Sequence, residues 1–433
     1  MIQLNQNFGY QGADYSTTQS SSELPRHRWY LIKEGFSPKL VNAVLDSLDL
    51  KKEDLVLDPF AGSGTVPLAA AERGVQAIGI EVNPFLSFIS NTKIRNCKVD
   101  YLRSGTEVVL RALERRKKAR SHLEGYSTFS PGPEVDKWLF NTEILRTFTT
   151  AWGVVDKSPT QGKRFLRLAL VKAAMDACNA KADGKCLRYR KDWKVLAYGA
   201  NDFIESFVSH IATIATDLTD APIEVKSHVI NSDSRKAVGL LPAKFRLCIT
   251  SPPYLNSFDY SDVYRPELFL MEMVANNKEL RRIRLRTIRS HVQARWEAPK
   301  DKNFGGLYKQ TMAQLKKCED DLWDARIPTM VQAYFEDMKG ILRQLYYRAT
   351  DDAQVWLVVS TSAYGGVEIP VDLILANIGT QSGWFLREIG VIRQIRHSGH
   401  HLSRLPEEQR SSAKLRESVV VLERSTKSKS SAR

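Results

Sequence analysis

Three short stretches of this chain combine residue types that could do chemistry. Leu247-Cys248-Ile249-Thr250-Ser251-Pro252-Pro253-Tyr254 is an apolar run that ends in Ser-Pro-Pro-Tyr. Two consecutive prolines fix the backbone and remove two N–H donors, leaving local carbonyl oxygens free to accept. The Ser251 hydroxyl adds an acceptor, and Tyr254 offers a flat aromatic face. The second stretch, Leu55-Val56-Leu57-Asp58-Pro59-Phe60-Ala61-Gly62-Ser63-Gly64-Thr65, ends a buried-strand run at an acid and turns through glycines into a helix. Glycines let the backbone approach a ligand closely, and a helix N-terminus presents free N–H groups. No lysine follows Gly64 at the place a P-loop requires. The third is Glu81-Val82-Asn83-Pro84, at the end of the next strand-like run. An acid there, about 20 residues past a Gly-rich turn, is where a doubly wound fold bonds ribose hydroxyls. The pair indicates a nucleoside-bearing cofactor.

These stretches need a sheet to bring them together. Short β-branched runs occur at Leu55–Asp58, Ala77–Val82, Glu224–Ile230, Leu247–Thr250, Val355–Ser360, Leu386–Arg393 and Ser418–Glu423. Helix-period stripes alternate with them at Pro38–Leu48, Thr65–Arg73, Phe335–Tyr347 and Val371–Ile378. That alternation predicts an α/β fold with a doubly wound, mostly parallel sheet covered on both faces. Residues 101–200 and 271–330 break the rhythm and read as two largely helical insertions.

With these residues in view, DPFAGSGT at 58–65 followed by TSPPY at 250–254 resembles the S-adenosylmethionine-dependent amino-methyltransferases of DNA. Those enzymes modify the exocyclic amines of cytosine or adenine. The resemblance covers most of residues 25–100, 220–270 and 351–424. It implies a seven-stranded Rossmann-like methyltransferase sheet, S-adenosylmethionine as cofactor, and double-stranded DNA as partner, with the target base flipped from the stack. Phe36 and Ser37, in a stretch that follows His27-Arg28-Trp29-Tyr30, are similar to the element that holds the cofactor's methionine end. The other implied cofactor-binding residues are Asp58, Pro59, Phe60, Ala61, Gly62, Ser63, Gly64, Thr65, Glu81, Val82, Asn83, Asp233 and Ser234. Among them Glu81 resembles the ribose-binding acid, and Asp233 the contact to the adenine ring. Ser251, Pro252, Pro253 and Tyr254 are the implied catalytic residues. Thr361–Gly366 resembles a pocket-lining motif and Leu415–Arg424 the closing strand. A serine heading the catalytic motif is most often found in enzymes acting on N4 of cytosine, whereas Asp or Asn is more typical of N6-adenine enzymes. The alternatives are N6-adenine methylation of DNA, amino-methylation of RNA or protein on the same fold, and a non-catalytic nucleic-acid-binding protein.

The implied organisation is a flexible arm at 1–24, a cofactor-binding half at 25–100, a basic helical insertion at 101–200 and a catalytic part at 201–270. A second basic insertion at 271–330 is the expected target-recognition module, followed by the C-terminal part of the catalytic domain at 331–424 and a flexible tail at 425–433. Charge agrees with a polyanionic partner: Lys+Arg 63 against Asp+Glu 49 gives +14 over 433 residues. Residues 101–200 carry 20 basic and 10 acidic residues. Arg281, Arg282, Arg284, Arg286, Arg289 and Arg295 have no acid among them and are the expected nucleic-acid contacts. A cognate restriction endonuclease is a further candidate partner.

Other features exclude classes. Hydrophobic residues make up 43% and no apolar run reaches membrane-spanning length, so a membrane partner is not expected. The N-terminus lacks a secretory pattern and five scattered cysteines form no C-x-x-C pair, which points to the cytoplasm and against a zinc site. His397, His400 and His401 lack cysteine or carboxylate partners nearby and read as loop, so no metal is expected. Absence of any Pro-Cys step excludes the cysteine-dependent C5 chemistry of cytosine, and Cys248 reads as a small buried hydrophobe.

Overall fold

The computed structural model describes residues 3–32, 35, 37–115, 118–158, 161–183, 186–395 and 415–424. Phe36, His397, His400, His401 and the tail 425–433 lie outside the described residues.

Strands Leu55–Asp58 (β1), Gln76–Glu81 (β2), His228–Asn231 (β5), Phe245–Thr250 (β6), Ala349–Ser360 (β7), Phe385–Gln394 (β10) and Arg416–Glu423 (β11) form one seven-stranded sheet. Two small hairpins lie outside it, Ala180–Ala182 with Leu187–Tyr189 (β3, β4) and Ser362–Tyr364 with Val367–Ile369 (β8, β9). The order across the sheet is β10-β11-β7-β6-β1-β2-β5. Pairing is parallel from β7 to β5, while β11 runs antiparallel to both of its neighbours. This is the mostly parallel, doubly wound sheet with helical insertions that the sequence predicts.

Alternation along each strand sends side chains to two cores. Val56, Leu247, Ile249 and Val358 pack under helices Pro38–Asp46 and Thr65–Glu72 with Leu40, Val44 and Val66. Leu57, Cys248, Leu357 and Val420 face helices Ile327–Arg348 and Val371–Gln381 with Phe335, Leu342 and Ile374. Both faces are covered, which is why these strands read as continuous apolar runs.

Helices Val99–Leu113, Thr142–Lys157 and Lys163–Asp176 of the first insertion pack around Phe140, Phe148, Phe165 and Phe203 together with helix Ala200–Asp220, which lies in the part expected to be catalytic. This core is continuous with Phe85 and Ile89 of helix Pro84–Lys93 and with Leu268 and Phe269 of helix Arg265–Leu270. The module therefore braces the elements that border the site.

Two expectations are corrected. Residues 1–24, expected to form a flexible arm, instead dock on the edge of the sheet through their described part. Asn5 N–H donates to Ile389 O at 2.8 Å, Val391 N–H donates to Asn5 O at 3.0 Å, and Phe8 is buried with Trp356 and Ile392. Pairing of this kind uses backbone groups and covers an otherwise open strand edge, so a polar composition does not preclude it. The strand expected over Glu224–Ile230 forms at His228–Asn231, because Ala77 N–H donates to the Ser227 hydroxyl instead of to a backbone carbonyl. Among the described residues no helix is long and apolar enough to cross a membrane.

Candidate active site

The site lies at the C-terminal ends of β1, β2, β5 and β6. Asp58, the last residue of β1, is buried and accepts from Phe60 N–H at 3.0 Å and from the Thr250 hydroxyl at 2.6 Å. Its carboxylate thus ties the Gly-rich turn to the end of β6, one residue before Ser251. Burial pushes its carboxyl up to about 7 against both hydrogen bonds. Gly62 and Gly64 adopt φ of +50° and +86°. A Cβ on Gly64 would sit 2.9 Å from that of Ser90, so strain and crowding both require glycine there. The Ser90 hydroxyl donates to Gly62 O at 2.6 Å and pins the turn onto helix Pro84–Lys93.

Glu81 closes the turn from β2. One carboxylate oxygen accepts from Gly62 N–H at 2.9 Å and the other from Asn83 N–H at 2.7 Å. Burial pushes its carboxyl up to about 7; those N–H groups oppose the shift and the Asp58 charge adds to it. Each oxygen keeps a lone pair for a ligand hydroxyl. Asn83 caps the next helix by accepting from Phe85 N–H, while its buried Nδ2 has no protein partner. Asp233 caps Ser234–Ala237 and is paired with the Arg235 guanidinium, and the Ser234 hydroxyl donates to Pro59 O.

One cavity, open to solvent, joins this turn to the Ser-Pro-Pro-Tyr loop. Pro59, Phe60, Ala61, Gly62, Ser63, Thr65, Glu81, Val82, Asn83, Asp233 and Ser234 line one part; Ser251, Pro252, Pro253 and Tyr254 line another. Asp58, Gly64 and Ser37 do not line it. The first two shape the turn, and Ser37 caps helix Pro38–Asp46 by accepting from Lys39 N–H. Ile32 and Gly35, from the upstream element, reach the wall. Tyr254 is anchored by its hydroxyl, which donates to buried Glu417, itself paired with Arg393. Tyr364, in the stretch expected to line the pocket, instead supports the loop by donating to Leu255 O at 3.0 Å.

The arginine cluster divides. Arg289 is 8% exposed, with its N–H and guanidinium on Asp337 and its guanidinium also on Glu336 at 2.6 Å. Arg284 is paired with Asp259. These two expected nucleic-acid contacts are instead internal ties, because acids distant in sequence fold against them. Arg281, Arg282 and Arg295 are exposed, and exposed Arg286 lines the cavity. The segment also supplies Ile283, Thr287, Ile288, Ser290 and His291 to the wall, none of which sequence spacing flags. Leu86, Ser261 and Tyr264 line it as well, again with no motif to mark them. Among the described residues no group of three or more His, Cys, Asp or Glu is placed to hold a metal.

A family model described as DNA methylase matches residues 18–91. Over 408 residues the chain is 26% identical to the type II methyltransferase M.AvaI of Nostoc sp. (strain PCC 7120), covering 86% of this chain and 82% of that protein. Over 426 residues it is 25% identical to the type II methyltransferase M.BsoBI of Geobacillus stearothermophilus, covering 87% and 82%. Among solved structures, the rRNA methyltransferase aviRa of Streptomyces viridochromogenes overlays with a TM-score of 0.32 at 10% identity, covering 96% of this chain and 97% of that one. An overlay that loose carries no argument about substrate.

Proposed function

We propose, for a chain that belongs to the S-adenosylmethionine-dependent N6-adenine/N4-cytosine DNA methyltransferase family, that its substrate is duplex DNA and its acceptor atom N4 of a flipped cytosine. The observation that carries the reading is the continuity of one cavity from the Glu81-closed turn to Ser251–Tyr254. Orphaned Asn83 Nδ2, the free lone pairs of Glu81 and the positive-φ cradle at Gly62 fit a nucleoside with polar substituents. S-adenosylmethionine, when bound, supplies an electrophilic methyl group.

The residues of the chain have to prepare the amine. An exocyclic amine is a weak nucleophile because its lone pair is conjugated into the ring. The Ser251 hydroxyl oxygen and the Pro252 carbonyl accept the amine hydrogens, favouring a pyramidal nitrogen with its lone pair exposed. Tyr254 stacks on the base, its ring held in place by Glu417. Positioning and electrostatics are then the main contributions to rate. The segment around Arg281–Arg295, with residues 271–330 as target-recognition module, contacts the DNA through Arg281, Arg282, Arg286 and Arg295. Restriction-modification fits the type II methyltransferases to which the chain is similar, with a cognate endonuclease as partner.

The test is methyl transfer from labelled S-adenosylmethionine to unmethylated genomic duplex DNA, with total RNA in parallel, followed by nucleoside separation. Label is expected in N4-methylcytosine. The Ser251→Ala variant should lose roughly 100-fold in turnover while binding the cofactor normally. Label in N6-methyladenine would overturn the choice of base, and label in RNA alone would overturn the choice of DNA.

A further inference from the structure

Among the described residues His291 is the one histidine on the cavity wall, and nothing in its sequence context marks it. His291 is buried to 1% exposure, and beyond a side-chain interaction with Gln293 neither Nδ1 nor Nε2 has a partner in good hydrogen-bond geometry. A buried ring with at least one nitrogen left unsatisfied calls for a reason, since leaving such a group unpaired costs stability.

The backbone around it is fixed. Ser257 N–H donates to Ser290 O at 3.1 Å, and Gln293 Nε2 donates back to Ser257 O at 3.1 Å. These bonds strap the His291 segment to the loop that leaves Tyr254. Trp296 Nε1 donates to His291 O at 3.0 Å, and the two rings meet edge-on at 5.2 Å. Arg289, two residues earlier, is clamped on Asp337. The segment is therefore held rigidly, and His291 lines the same cavity as Ser251 and Tyr254.

Resting on the reading of a flipped amino-bearing base, we propose that His291 is a specificity-determining residue that donates a hydrogen bond to the ring nitrogen next to the reacting amine. That nitrogen is N3 in cytosine and N1 in adenine, an acceptor in both. Thymine presents an N–H at that position, so the same contact is lost. Burial and the nearby Arg284 hold the ring's pKa below its usual value, with neighbouring Asp259 and Gln293 opposing, which leaves one nitrogen to donate and one to accept. Ser251 and Pro252 would hold the amine, and His291 would fix the rotation of the ring about it.

The experiment compares the wild-type protein with His291→Leu and His291→Gln, measuring cofactor affinity by calorimetry and kcat and KM on duplex DNA. His291→Leu should lose about 10- to 100-fold in kcat/KM for DNA with cofactor affinity unchanged, and His291→Gln, which keeps a donor, should recover part of it. Duplex in which the ring nitrogen of the target base is replaced by C–H should be a poorer substrate for the wild type by a similar factor. That penalty should vanish in His291→Leu. Full activity of His291→Leu, parallel loss of cofactor binding, or wild-type indifference to the C–H analogue would each overturn the assignment. The analogue experiment on wild type stands even where a variant fails to fold. A protein that binds cofactor but methylates no DNA would overturn the underlying reading instead, by a different signature.

Discussion

Around Gly62 the turn itself is shaped largely by backbone groups and by partners within 28 positions, while Thr250 on Asp58 and Ser234 on Pro59 fix it to the neighbouring elements. Gly62 N–H reaches Glu81 over 19 positions, and Ser90 reaches Gly62 O over 28. Around Tyr254 the wall is assembled from far apart: the tyrosine hydroxyl is fixed by Glu417, 163 positions away, and the His291 segment by Asp337, 48 positions beyond Arg289. The first region is a turn that the β1-turn-helix unit and the strand and helix that follow it largely specify. The second is a set of loops given shape by buried charge pairs. A region of the first kind is less exposed to change elsewhere in the chain, whereas one of the second kind is exposed to any substitution that leaves a buried charge alone.

The largest expected effect follows from that exposure. Arg289→Ala leaves Asp337 buried beside Arg235 with its main partner gone, a loss of about 3–5 kcal/mol for a broken buried pair. Arg289→Lys should rescue little, since an ammonium cannot reproduce the guanidinium fork across Asp337 and Glu336. Denaturant unfolding should show the stability loss, and methyl transfer should fall further than cofactor affinity. Equal losses in the two would erase the distinction between the regions.

The same contrast decides what a sequence can disclose. Gly62, Gly64 and Glu81 act through backbone geometry near the turn, and Asp58 ends the strand before it, so their residue types and spacing are enough to announce the turn. The parallel sheet is legible for a similar reason, because strands buried on both faces read as apolar runs. The arginines at 284 and 289 look like their neighbours at 281 and 282, since sequence shows charge and not what folds against it. Nothing near His291 forms a spaced pattern, so its burial is visible only in three dimensions. The docking of Asn5 on β10 is made by backbone atoms common to all residues, and composition is blind to it.

A middle-sized effect sharpens the comparison from the cofactor side. Glu81 titrates at about 7 in the folded chain against an ordinary 4.5. Between those values the folded state holds a proton that the unfolded state has released, so Glu81 makes stability fall as pH rises through that window. Cofactor affinity should run the other way. If, as proposed, Glu81 holds the cofactor ribose, the ribose hydroxyls donate to the ionised carboxylate, so binding should strengthen by about tenfold from pH 6 to pH 8 and then level off. Calorimetric titration of the Glu81→Gln variant should show weaker binding with this pH dependence much reduced. An unchanged profile in that variant would assign the titration to Asp58, which shares the same range.

The smallest effects should come from the exposed arginines of the segment that carries His291. Arg281 and Arg282 sit in the last turn of helix Asn277–Arg284, exposed to solvent, whereas Arg284 in the same turn is committed to Asp259. A solvated arginine that meets a phosphate contributes mainly through counterion release, so Arg281→Ala and Arg282→Ala should each weaken DNA binding uniformly across sequences. Each should lower the magnitude of the log–log salt slope by about 1, with turnover at saturating DNA unchanged. Arg284→Ala should behave differently, because it removes the charged partner of buried Asp259, five residues after Tyr254. Its signature should be reduced turnover at every salt concentration, with the slope close to that of the wild type. If instead all three variants shift the slope alike, the arginines act as one patch, and the division between structural and phosphate-facing charge in this segment is wrong.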